Sequence, residues 1–328
     1  MVKNWVFSLA HLGAFTLLIT ATPFSHSTTT IQKTPYRGWN EAFILSNGTV
    51  EAVVVPAIGR LMQFRFNGQQ DGPFWENSLL DGKAPDSQSS EWGNFGGDKS
   101  WPAPQADWEK MTGRGWPPPA AFDSMPVTAE IKGDLLVLHT PIDKHYGIQA
   151  ERRIRLHPTQ AEMEIETIYH KKEGPPVRVS VWTITQLKDP ELIVMPLPQK
   201  TIFPLGYNKQ STELPLDLKF TNNIVTCRRS PTVSTKIGSD ASQLISVHKD
   251  VIFETFAARE PNSDFPDQNS SAEIYTNADP LQYIELELLG PLHTLKPGDT
   301  ITRKQTYRLH KRDARPINRQ LADLISTR

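Results

Sequence analysis

Hydrophobic and polar residues alternate along most of this chain. From Leu61 to Phe66, Met62, Phe64 and Phe66 face one way, and Gln63 and Arg65 the other. Val50 to Val55 is a β-branched run closed by Pro56. Ile148, Ala150, Arg152, Ile154 and Leu156 fall on one face of a second strand pattern. Met163, Ile165, Thr167 and Tyr169 alternate with Glu162, Glu164 and Glu166. Val177, Val179 and Val181 alternate with Arg178, Ser180 and Trp182, and Leu281 to Leu289 adds another strand. A period of two over short segments is the mark of half-buried strands. Asn47-Gly48, Asn67-Gly68 and Pro297-Gly298 supply turns between them. The series predicts an all-β fold, an antiparallel sandwich or barrel. Helical spacing occurs only at the C-terminal end. Ile317, Leu321, Leu324 and Ile325 recur there behind Pro316, which predicts a short helix on the outside of a sheet. No repeat or linker divides the chain, so residues 28–328 are expected to form one domain.

The N-terminus breaks the pattern. Lys3 precedes an apolar stretch from Trp5 to Ile19, and small and polar residues follow it. That order predicts a signal peptide over residues 1–27, cleaved after Ala21 or Ser27. The expected location is periplasmic or secreted, and no later segment is apolar enough to span a membrane in the mature protein. The full chain has 328 residues, 38% hydrophobic and 22% charged, which suits a packed core rather than disorder. Its 35 Lys and Arg balance 36 Asp and Glu. A charge-driven nucleic-acid partner is thereby excluded. The single cysteine, Cys227, excludes an intrachain disulfide and a Cys-rich zinc site. Cys227 stands beside Arg228 and Arg229, which would lower its pKa if the thiol faces them; a packed strand residue is the alternative. His139, His145, His157 and His170 lack metal-ligand spacing, and no phosphate-loop or dinucleotide motif occurs, so no metal and no cofactor is expected.

Residues 81 to 126 read as a long loop rich in Gly, Pro, Ser and Asp. It carries Trp92, Trp101, Trp108 and Trp116, half of the eight tryptophans. Disordered segments are poor in aromatics, so this loop is expected to be ordered. Its tryptophans either form a wall for a ligand or plug the core. A sugar presents C–H faces that stack on indoles and hydroxyls that need polar partners.

Within that loop, Trp92-Gly93-Asn94-Phe95-Gly96-Gly97-Asp98-Lys99-Ser100-Trp101-Pro102 resembles a branch of the galactose mutarotase-like superfamily, which includes aldose 1-epimerases. Leu45-Ser46-Asn47-Gly48, Ile58-Gly59-Arg60-Leu61-Met62, Gln149 to Leu156, Glu273-Ile274-Tyr275-Thr276 and Tyr283-Ile284-Glu285-Leu286-Glu287 add weaker matches. The resemblance runs from about Gly38 to Leu309. It implies a β-supersandwich, here with a short C-terminal helix, whose concave face binds a mono- or oligosaccharide.

Mutarotation needs a base for the anomeric hydroxyl and an acid for the ring oxygen. The resemblance places the base on a late strand, where Glu285 and Glu287 share one face with Tyr283. The alternative for both glutamates is a solvated face above Ile284, Leu286 and Leu288. The epimerase histidines correspond to Phe95 and Trp182, which stack on sugars and carry no proton. Asp98 and Lys99 either replace those polar groups or form a structural ion pair. Trp92, Phe95, Trp101, Trp182, Tyr283 and Arg60 are the expected carbohydrate contacts. A non-catalytic carbohydrate-binding or structural surface protein is the second reading.

Overall fold

The structure is a computed structural model, and it describes residues 1–2, 29–86 and 91–326. The expected signal peptide lies almost wholly outside these residues. Two antiparallel sheets, of eleven and ten strands, stack face to face. Inward-facing apolar residues fill the space between them: Phe64, Leu187 and Leu286 from the first sheet, and Ile154, Met163 and Phe253 from the second. Of the sandwich and barrel that period-two patterning allows, this is the sandwich, in which each strand buries every second side chain.

Five neighbouring strands of the larger sheet matter for function. In spatial order they are Asp98–Ala103, Val177–Lys188, Tyr283–Leu289, Ala272–Thr276 and Thr235–Ser239. The first corrects the sequence reading, because it lies inside the expected loop. It holds Pro102, yet it pairs with the second strand from Ser180↔Ala103 to Thr185↔Asp98. On its other side only Asp98 pairs, with Leu61. Proline is tolerated on such an open flank because few ladder bonds are lost there.

A second correction concerns Leu61 to Phe66. The register shifts between Val53 and Val54 of the partner strand. That bulge turns Met62 away from Phe64 and Phe66. Phe64 and Phe66 point between the sheets, whereas Met62 packs with Trp39, Val53, Val55 and Phe95 on the other face.

The C-terminal helix, Ile317–Ser326, lies where its pattern predicts. Leu321 packs on Val194, Ile245, Val247 and Ile252 across the outer face of the smaller sheet. Cys227 is buried between the sheets, and burial pushes its thiol up to about 12. The neighbouring arginines therefore do not activate it. No helix among the described residues is long and apolar enough to cross a membrane.

Candidate active site

Strand register decides which side chains meet. Trp101 pairs with Trp182, Glu287 with Ile184, and Glu285 with Gln186. Glu287 also faces Glu273 across the next pairing, Glu285 faces Tyr275, and Tyr275 faces Lys236. Directly opposite residues point to the same side of a sheet. Trp101, Trp182, Glu285, Glu287, Tyr275 and Lys236 therefore share the outer face, and all line a cleft of about 480 Å³.

Tryptophans build one wall of it. Trp92, Trp101 and Trp116 meet edge to face with ring centroids 5.1–5.9 Å apart, and Trp182 meets Trp101 at 5.4 Å. Trp108 is fully buried behind them and donates its indole N–H to the Pro102 carbonyl at 2.8 Å. Of the loop's tryptophans, Trp108 is a plug in the core, whereas Trp92, Trp101 and Trp116 line the cleft.

One carboxylate, Asp123, holds the wall in place. Its Oδ1 accepts from Trp101 Nε1 at 2.9 Å, and its Oδ2 accepts from Trp92 Nε1 at 3.0 Å. Arg60 completes this anchor, with NH2 2.5 Å from Asp123 Oδ1. Arg60 is 1% exposed and also donates to the Asp123 and Ile58 carbonyls. It does not reach the cleft; it fixes the residue that fixes the indoles. Phe95 is also set back. Its ring packs 6.2 Å from that of Trp39, and it borders an adjoining hollow rather than the main cleft.

The two candidate glutamates have different surroundings. Glu287 Oε2 accepts from Trp182 Nε1 at 2.7 Å and from Lys236 Nζ at 2.9 Å. Lys236 is shared with Glu273 Oε2 at 2.7 Å, and its Nζ lies 4.7 Å from the Trp182 ring centre. Burial works against the lysine's charge, but Glu273 and Glu287 outweigh it and hold the ammonium protonated. One lysine does not neutralise two buried carboxylates. Burial accordingly pushes Glu273 up to about 8, with Lys236 pulling the other way.

Among the described residues Glu285 pairs only with Lys99, whose Nζ lies 3.4 Å from Oε1. Burial raises the Glu285 pKa; Lys99 opposes that rise and Glu287 adds to it. Burial also lowers the pKa of Lys99, whose Nζ sits 5.0 Å from the Trp101 ring centre and 5.6 Å from that of Trp92. The Tyr283 ring lies 4.7 Å from Trp75, at the end of the same row as Glu285.

Asp98 points elsewhere. Neighbouring residues of a strand face opposite sides, so with Lys99 outward Asp98 projects between the sheets. There it pairs with Arg152 and accepts from Thr185 Oγ1 and the Tyr307 hydroxyl, both at 2.7 Å. The two residues do not pair with one another, and Asp98 does not meet the cleft.

Asp123, Lys236, Glu273 and Tyr275 escaped the sequence reading. Tyr275 and Glu273 carry the same outward alternation as Glu285 and Glu287, one strand earlier. That pattern was the available signal. No group of three or more potential metal ligands occurs among the described residues.

No protein-family model matches the sequence, and no curated protein matches it. Solved structures do. A protein from Escherichia coli K12, provisionally assigned as an aldose 1-epimerase, is 12% identical with a TM-score of 0.53, over 87% of this chain and 100% of its own. A protein from Klebsiella pneumoniae with the same provisional assignment is 11% identical with a TM-score of 0.57, over 90% of this chain and 86% of its own. A galactose mutarotase-like protein from Lactobacillus casei is 9% identical with a TM-score of 0.53, over 82% of this chain and 100% of its own. The fold is galactose mutarotase-like. In this mutarotase-like sandwich the cleft lies on the outer face of the larger sheet, beside the tryptophan wall. No histidine lines it among the described residues. The positions that the resemblance equates with the epimerase histidines are Phe95, behind the wall, and Trp182, on the cleft floor.

Proposed function

We propose that the cleft binds a carbohydrate and that Glu285 accepts the proton of its anomeric hydroxyl. The observation that carries this reading is the pairing of an indole wall with a buried carboxylate held by a single long contact. Indoles give a sugar's C–H face broad apolar contact. A carboxylate whose pKa is raised by burial is a stronger base than one in water. Glu287 is less suited, because Trp182 and Lys236 already occupy its Oε2. Lys236, kept protonated, is a hydroxyl donor, and Lys99 orients Glu285 from beneath the wall.

Recognition without turnover is a second reading, favoured by the lack of histidine among the lining residues. One experiment separates the two. Anomer interconversion is followed by polarimetry over a panel of aldoses, with binding followed by tryptophan fluorescence. Glu285→Gln is expected to lower turnover about 10²- to 10⁴-fold, the usual contribution of one acid–base group, while binding persists. Saturable binding with no turnover in the unaltered protein would establish recognition alone. We also propose, from the leader pattern, that the protein works in the periplasm or outside the cell.

A further inference from the structure

The cleft continues past its tryptophan wall. A second hollow of about 390 Å³ adjoins it, and Trp92, Asn94 and Leu281 line both. Pro117, Pro118, Leu79, Leu80 and Arg114 also line it. Together the two hollows lie in the upper part of the ~300–1,000 Å³ range of small-molecule sites.

Asn94, at the junction, is 6% exposed. Its side-chain oxygen accepts from the Gly96 N–H at 3.2 Å, and its main-chain carbonyl accepts from Asn77 Nδ2 at 3.0 Å. These contacts fix the amide with its nitrogen directed away from the turn. That nitrogen faces the Tyr283 hydroxyl without a well-formed hydrogen bond.

We propose that the two hollows are subsites for a carbohydrate of at least two linked units. One unit lies over Glu285. The next lies beyond Trp92, against Pro117 and Pro118, with Asn94 at the junction between the two. The inference rests on the carbohydrate reading above and adds ligand length to it. The second hollow has the same mixture of components as the first: apolar faces from Leu79, Leu80 and the prolines, and a cationic hydroxyl donor in Arg114.

The test is a fluorescence titration of the full protein with gluco-, xylo-, manno-, galacto- and N-acetylglucosamine-based saccharides, one to four units long. The expected result is binding at least about tenfold tighter for two units than for one. In the Leu79→Ala/Arg114→Ala variant, altered only at the outer hollow, that gain is expected to vanish while one-unit affinity stays the same. Equal affinity at every length, or a length gain that the variant leaves intact, would overturn the two-subsite inference and spare the carbohydrate reading. No binding by any saccharide would overturn both. Circular dichroism of the variant confirms that it is folded.

Discussion

Glu285 and Glu287 sit two residues apart on one strand, and their neighbours decide what each does. Glu287 is satisfied by an indole and an ammonium, so it fixes Trp182 and Lys236 in the cleft floor. Glu285 keeps oxygen lone pairs for a ligand. In its proposed role as a base, its raised pKa sets the pH at which it works. Turnover is therefore expected to fall on the acid side at a pH above the ordinary carboxylate value, and Glu285→Gln is expected to abolish that limb. Glu273 gives a second pH signature, in stability. Its pKa rises from an ordinary 4.5 to about 8 on folding. The folded state then binds this proton more tightly than the unfolded one. The corresponding stability is fully present below about pH 4.5 and is lost as pH rises through about 8. Urea denaturation at about pH 6 and about pH 9 should show the loss. Glu273→Gln should flatten it.

At the scale of the element, the strand Asp98–Ala103 divides its chemistry by parity. Lys99 and Trp101 serve the cleft, while Asp98 joins the two sheets through Arg152. Asp98→Ala strands a buried guanidinium and is expected to cost about 3–5 kcal/mol in chemical denaturation. The folded fraction should keep its response to ligand, an outcome that a catalytic Asp98 would not give. The same strand shows where sequence reading stops. Parity along Tyr283–Leu289 was legible, because Ile284, Leu286 and Leu288 mark the inner face without interruption. Parity along Leu61–Phe66 was not, because the bulge that reverses Met62 depends on the partner strand. Asp98–Ala103 itself was hidden by its glycine- and proline-rich setting. The Asp123 anchor was hidden for another reason: its three partners lie 22, 31 and 63 residues away and converge only in space.

At the scale of the whole molecule, patterning predicted an antiparallel sandwich or barrel, the family resemblance chose the two-sheet sandwich, and pairing register put the cleft on its outer face. Export is testable without structure. Mass spectrometry of protein secreted by a bacterial host should find a mature N-terminus after Ala21 or Ser27; an intact Met1 in the secreted fraction would remove the signal-peptide assignment. The order of the central strands has a kinetic consequence. Lys99 and Glu285 are 186 residues apart in sequence, and Trp182 and Glu287 are 105 apart. Such pairings close long loops before any contact rewards them, so they form late. Every nascent chain that ends before Glu285 carries the tryptophans of the wall but not the proposed proton acceptor. Under the proposed function, turnover is thus withheld until the C-terminal third has arrived and paired, and its onset during refolding is expected to mark completion of the larger sheet.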